Sequence, residues 1–217
     1  MYELEKKKII DAALKIDKYQ LISLSGGNVS LRVNNEHILV TPSGMVYDEM
    51  VPEDVLVVDN DGKIIEGERK ASVDTVALCY IYKNMPNVNS IIHTHQPYAT
   101  GLGLVFDRID CDLTTLANTT KGHVNVAPYS SAASLEMGVA VVDYIGDSLA
   151  VVLKNHGVVT VGKNLTEALY AAVYLEESAK TLYVAHSLGR PVAKLTEDQI
   201  QVAVDVFKTY GQVPGEH

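Results

Sequence analysis

Apolar positions near the start of the chain recur at helical spacing. Ile9, Ala12, Ala13 and Ile16 fall on one face of residues 3–20 with charges opposite, which predicts an amphipathic helix. The period then changes to two. Residues 28–33 and 37–41 read as short strands joined by Asn34-Asn35-Glu36, and residues 55–58 and 63–65 flank Asp61-Gly62, a hairpin signal, so antiparallel pairing is expected. A helix is expected to start at Ser72, whose hydroxyl can cap first-turn amides with Asp74 inside that turn, and to end before Pro86. Beyond it the pattern predicts a strand over 89–95, a short helix after Pro97, a strand over 124–126 and a helix over 134–145. Two apolar runs follow at 149–153 and 158–161, then a long helix over 165–188 closed by Gly189-Arg190-Pro191, and another over 196–210. The mixture predicts one α/β domain over residues 1–217, with a central, largely antiparallel sheet and helices on both faces. Gly101-Leu102-Gly103 follows no predicted strand and opens no dinucleotide fingerprint.

Composition narrows the function classes. Eighteen Lys plus Arg against 27 Asp plus Glu leave a net charge of −9, and no basic cluster is present to neutralise phosphates of a nucleic acid. The Lys6-Lys7-Lys8 run reads as a solvated helix face. No run of 18 apolar residues occurs that would span a membrane, and the opening MYELEKKK lacks the apolar core of a secretory signal, so a cytoplasmic protein is expected. The two cysteines, Cys79 and Cys111, have no metal-type spacing and are expected to be free.

The candidate chemistry lies in the histidines. His93 and His95 are two apart on a predicted strand, so both imidazoles project to one face and can converge on one ion. With seven histidines in the chain, chance supplies about 0.2 such pairs, so the spacing is suggestive and no more. A third candidate, His156 in Lys154-Asn155-His156-Gly157, sits between two apolar runs beside a flexible glycine. Three neutral imidazoles leave a fourth metal position for water or substrate, where the ion can act as a Lewis acid on a carbonyl. Zinc is the default choice because imidazole suits it, and ligand type alone leaves manganese, cobalt and iron open. His37, His186 and His217 read as surface or satisfied polar residues. Two loops rich in small residues, Ser25-Gly26-Gly27-Asn28 and Thr41-Pro42-Ser43-Gly44, together with a helix start at Ser72, can cradle a phosphate, although each alone is also ordinary turn chemistry.

Taken in order, GGNVS, TPSG, a helix entry with serine and carboxylate, HTH, NHG and FKTYG resemble the class II metal-dependent aldolase/epimerase family over Ile9 to Gly211, and FKTYG favours its aldolase branch. The resemblance implies a zinc enzyme, usually a homotetramer, that cleaves a ketose 1-phosphate to dihydroxyacetone phosphate and an aldehyde. It implies His93, His95 and His156 as metal ligands, and Asp74 as the carboxylate that can bind the empty metal and then serve as acid/base. Gly27, Asn28, Ser43, Gly44 and Ser72 match phosphate-binding positions, and Tyr210 matches a C-terminal tyrosine that assists proton transfer. In that chemistry, breaking the C3–C4 bond pushes electrons onto the ketone, where a divalent ion stabilises them while a carboxylate moves the proton.

Several positions depart from the pattern. The family's Ser-Ser-Glu is Ser72-Val73-Asp74 here, one methylene shorter at the carboxylate, and Asp74-Thr75 is the pairing of a sister 4-epimerase. Leu78 replaces a further family histidine, and a second aldolase tyrosine falls near Thr114. His123 lies nearest to the epimerase's catalytic aspartate, and reads either as a proton-transfer group or as a surface histidine beside Gly122. The alternatives are therefore an L-ribulose-5-phosphate 4-epimerase-like enzyme, a metal-dependent sugar-acid phosphate decarboxylase, or a scaffold of the adducin-head type. The last lacks the metal histidines that this chain carries.

Overall fold

The alternating apolar residues of the strands need a cover on both sides, and the computed structural model, which describes residues 1–207, supplies it with helices on each face of one sheet. The elements are α1 (Glu3–Lys18), β1 (Asn28–Arg32), β2 (Ile38–Val40), β3 (Leu56–Val58), β4 (Ile64–Glu66), α2 (Thr75–Asn84), β5 (Ser90–Thr94) and α3 (Pro97–Val105). They continue with β6 (Arg108–Ile109), α4 (Thr114–Thr120), β7 (Val124–Ala127), α5 (Leu135–Ile145), β8 (Ala150–Leu153), β9 (Gly157–Gly162), α6 (Leu165–Ser187) and α7 (Glu197–Phe207). The strand order is β4-β3-β2-β1-β5-β9-β8-β7-β6. Every neighbouring pair is antiparallel except β7 and β8, which α5 links as a crossover. The expected largely antiparallel sheet with helices on both faces is what forms.

Residue parity decides the layers. Ile91, Val151, Leu153, Val159 and Val161 point to the side covered by α2 and α5, where they meet Ala77, Leu78, Ile81, Met137 and Val141. Their neighbours Ile92, Val29, Leu39 and Val57 point to the opposite side, against Ile9, Ala13 and Ile16 of α1 and Ala168 and Ala172 of α6. On that same side Val126, Val152 and Val158 pack under α3, α4, α6 and α7 through Ala99, Leu116, Ala117, Leu175, Ala179 and Ile200. By this parity His93, two residues past Ile91, faces α2. Among the described residues no helix is long and apolar enough to cross a membrane.

Most predicted elements are present, with four differences. Helix α2 starts at Thr75, with Asp74 at its N-cap position and not inside its first turn. The Ser72 hydroxyl accepts from the Asp74 amide at 3.3 Å, and the Ser72 carbonyl accepts from the Thr75 amide and hydroxyl, so the turn before the helix is what Ser72 stabilises. Strand β6 and helix α4 were not expected, because Thr-Thr-Leu-Ala-Asn-Thr-Thr is poor in helix formers. It is helical because Thr119 and Thr120 donate their hydroxyls to the carbonyls of Thr115 and Leu116 while Leu116 and Ala117 are buried. The Lys6-Lys7-Lys8 run divides: Lys7 and Lys8 are exposed, but Lys6 is buried, with its ammonium 2.8 Å from Glu66 Oε1. Cys79 and Cys111 are free and buried, as expected.

Glu66 also pairs with the N-terminal ammonium at 2.7 Å, and these two cations hold its carboxyl below the usual range. Removing one partner from a buried pair strands the other, whereas removing the buried charge itself does not. Glu66→Ala is therefore expected to cost about 1–3 kcal/mol and Lys6→Met under about 1 kcal/mol. Urea unfolding of the two variants checks this, and equal losses would refute it.

Candidate functional site

Two backbone approaches build the site. Strand β5 lies between β1 and β9, with Asn28 opposite His93 on one side and Val159 opposite His93 on the other. The turn from β8 to β9 carries His156 after Asn155, which takes a left-handed φ of 63°. Gly157 then packs on the end of β5: a Cβ there would lie 2.3 Å from the Thr94 carbonyl oxygen and 3.1–3.2 Å from the rings of His95 and His93. The glycine in this motif thus serves close approach and not flexibility. From the other side Gly27, at φ +80°, leaves no room for a Cβ against the His93 carbonyl, and Gly26 packs on the His95 ring.

The three histidines meet. Ring centroids of His93 lie 5.0 Å from His95 and 4.8 Å from His156, and His95 lies 5.4 Å from His156. One potential ligand atom from each falls within 4.8 Å of the others. The Val158 carbonyl accepts a hydrogen bond from His93 Nδ1 at 2.9 Å, which puts the proton on Nδ1 and leaves a lone pair on Nε2. His95 Nε2 faces that lone pair at 3.2 Å. His156 Nδ1 is buried without a protein partner. Burial, followed by the neighbouring imidazoles, pushes His93 down to about 3, and burial lowers His95 and His156 as well. The trio is therefore neutral at physiological pH, the protonation state in which imidazole binds a divalent ion. A locked tautomer, an orphaned ring nitrogen and a nitrogen-only donor set together fit a transition metal.

Asp74 stands at the edge of this cluster, with Oδ2 4.0 Å from His93 Nε2. Both of its oxygens are held: Asn28 Nδ2 donates to Oδ2 at 2.8 Å, and the Ala133 amide donates to Oδ1 at 3.1 Å. The Ala133 contact was not anticipated from the sequence. It comes from the loop leading into α5, where Ala133 adopts φ 57°, a conformation an alanine gives no hint of. Asn28 is fully buried, and its side-chain amide donates to Asp74.

Backbone bonds join the 41–44 loop to β1 and to the segment before α2. The Val29 and Thr41 backbones are bonded to each other through the Val29 carbonyl, and Pro42 bridges Ala71. The Ser43 amide donates to the Lys70 carbonyl at 2.9 Å, and the Ser72 amide to the Thr41 carbonyl at 3.2 Å. Those two amides are therefore used in joining the loops, and what Ser43 and Ser72 can offer an anion is their hydroxyls. Gly44 has φ +70° with open space around it. Tyr210 lies outside the described residues. His123 does not join the trio: its Nδ1 accepts from the Cys111 amide at 2.9 Å, and its Nε2 lies 3.2 Å from Glu197 Oε1. Both ring nitrogens are occupied at the other end of the sheet, between β7 and α7.

A family profile described as class II aldolase and adducin N-terminal domain matches residues 7–183. An L-fuculose phosphate aldolase of Haemophilus influenzae is 32% identical over 94% of this chain and 94% of its own. A 5-deoxy-D-ribulose 1-phosphate aldolase of Bacillus thuringiensis serovar kurstaki is 31% identical over 96% of this chain and 97% of its own. Among solved structures, an L-fuculose 1-phosphate aldolase superposes with a TM-score of 0.87 at 27% identity, covering 94% of this chain and 95% of that one.

The neutral buried imidazoles make the folding of the metal-free protein pH-dependent. His93 is depressed from 6.5 to about 3 in the folded state, so protons bind the unfolded chain preferentially between those values. Its contribution is fully present above pH 6.5 and is lost progressively as pH falls toward 3. Urea unfolding in chelator across this range should show a falling midpoint, with a shallower fall in His93→Asn. Parallel profiles for the two proteins would refute the assignment.

Proposed function

The chain belongs to the class II aldolase and adducin N-terminal domain family, and from that premise we propose that it is a zinc-dependent aldolase cleaving a ketose 1-phosphate, of the L-fuculose 1-phosphate kind, to dihydroxyacetone phosphate and an aldehyde. That it is an enzyme of the aldolase class follows from the family and the named relatives. The observation that carries the finer reading is the convergence of three neutral histidines beside a doubly anchored carboxylate. Relatives named for two different ketose 1-phosphates support the phosphate and ketone end as the shared feature, with the aldehyde part variable. A small phosphorylated sugar as substrate, a homotetramer and a cytoplasmic location go with this function.

His93, His95 and His156 would hold the ion, with Asp74 as an additional ligand when substrate is absent. When bound, the ion supplies Lewis acidity that lowers the cost of negative charge on the substrate's carbonyl oxygen. The remaining work falls to side chains. Cleavage takes the proton from the C4 hydroxyl, sends the C3–C4 electron pair toward the ketone, and returns a proton to C3. Asp74, aimed by Asn28 and Ala133, is the group for the proton at C3, and Tyr210 assists at the aldehyde side. The hydroxyls of Ser43 and Ser72, with Gly44 and the Gly27–Asn28 segment, would hold the phosphate and so fix the reacting carbons relative to the cluster. The Asp74-Thr75 pair favours a 4-epimerase as the second reading, since it uses the same bond cleavage with the aldehyde turned before re-addition. A decarboxylase acting on a sugar-acid phosphate is third.

The test is to load the protein with zinc, remove excess, and offer dihydroxyacetone phosphate with a panel of aldehydes, with L-ribulose 5-phosphate alongside. A new ketose 1-phosphate is expected; less than about a tenth of an equivalent of bound metal after reconstitution would sink the enzyme mechanism. Asp74→Asn should retain bound zinc and lose about 10²–10⁴-fold in kcat, the range for a general acid/base, and wild-type turnover would remove Asp74 from the mechanism. A chain ending at Thr209 should lose turnover while keeping its Tm and zinc content; unchanged kinetics would discount Tyr210.

A further inference from the structure

Of the three histidines, His93 is held by the sheet and His156 by its turn, but His95 lies one residue beyond the end of β5. The β-ladder does not reach it. Its amide donates to the Leu21 carbonyl at 3.0 Å, and the chain then turns at once into α3. What fixes that turn comes from α6. Gln96, at the N-cap position of α3, makes no capping bond of its own; its fully buried side chain instead donates from Nε2 to the Ala172 carbonyl at 2.8 Å. One turn further along α6, Glu176 is 1% exposed and presents both carboxylate oxygens to α3: Oε1 accepts from the Tyr98 amide and Oε2 from the Ala99 amide, each at 3.0 Å.

The second and third amides of a helix are unpaired within it, and they carry the positive end of its dipole. A carboxylate supplied from a neighbouring helix satisfies both and ties the two helices in one register. Glu176 is otherwise costly, since a buried carboxylate loses its hydration and burial raises its pKa. Gln96 and Glu176 thus form two rungs from one face of α6 onto the residues that directly follow His95.

We propose that Glu176 is a positioning residue for His95, setting the angle of its backbone through the start of α3 and so the geometry of the histidine cluster. This rests on the metal-binding function proposed above and concerns a residue that touches neither metal nor substrate. The chain's own geometry gives the reason: with no ladder bond beyond Thr94, the His95 backbone is held by its amide on the Leu21 carbonyl and by the start of α3 after it, while Gly26 and Gly157 bound its ring.

The test uses cobalt(II) as a spectroscopic substitute in the full-length protein. Kd is measured by competition with a chelator, and the visible spectrum reports ligand geometry. Glu176→Gln keeps the shape and one acceptor oxygen, Gln96→Ala removes the other rung without orphaning a donor, and Leu182→Ala is a core control on the same helix. We expect the Glu176→Gln Kd to rise about tenfold, the low end for residues that orient metal ligands, with an altered cobalt spectrum and a fall in kcat larger than any change in KM. Gln96→Ala should move in the same direction by less, while Leu182→Ala should lower Tm and leave spectrum and Kd unchanged. Wild-type protein that binds cobalt, with Glu176→Gln and Gln96→Ala matching it in Kd and spectrum, overturns the proposal alone. Wild-type protein that binds no cobalt overturns the metal function and this proposal with it.

Discussion

The site depends on one close contact, Gly157 against the carbonyl of Thr94. A methyl group at Gly157 would sit 2.3 Å from that oxygen, so only the absence of a side chain lets β9 start where it does. From that start follow the register of β5 with β9, the position of the Val158 carbonyl beside His93 Nδ1, and the delivery of His156 to the same point from the preceding turn. Close packing leaves such a contact no room to relax, because neighbouring atoms are themselves in contact. Sheet register and imidazole tautomer are thereby set by the same few atoms.

Electrostatics then explains why the cluster is neutral although the chain is acidic. Burial disfavours each imidazolium, and three rings about 5 Å apart disfavour a second or third charge still more. A cluster that cannot protonate near neutral pH keeps its lone pairs for an ion. The net charge of −9 gives no long-range attraction to a sugar phosphate, so affinity must be local. The 41–44 loop and the segment before α2 use the Ser43 and Ser72 amides to bond neighbouring backbone, which leaves the hydroxyls of those serines and the open Gly44 turn as the local donors there.

Periodicity revealed the layers and nearly every element, because parity along a strand is a local property: Ile91 and Ile92 must face opposite sides wherever β5 lies. The histidine trio was visible from spacing, His93 and His95 two apart at the end of a predicted strand and His156 beside a glycine, although β5 stops at Thr94, one residue short of His95. Helix α4 was hidden because its threonines disfavour helix on their own and are stabilised only by bonds to carbonyls and by burial of Leu116 and Ala117. Lys6 was misjudged because its partner Glu66 is sixty residues away in sequence. Ala133 carries its function in its backbone, and Glu176 sits within a helix whose pattern reads simply as buried. No spacing rule finds contacts of that kind.

These long-range contacts share a logic. His93 is fixed by the sheet, His95 through α3 by α6, and Asp74 by the loop before α5, so each working group is referred to a different layer. The layers are in turn locked together: Gly138 of α5 packs against Ala77 of α2, where an added Cβ would lie 2.8 Å from the Ala77 carbonyl oxygen, and this sets the α5 loop against the start of α2, where Asp74 lies. Ala133 is held in a left-handed conformation within that frame, a strain of about 1–3 kcal/mol that the surrounding packing must offset. A site assembled this way cannot form in a partly folded chain, because any one layer supplies only part of it. Its geometry is a property of the whole fold, and a change in either helix layer reaches the carboxylate or the ligands without touching them.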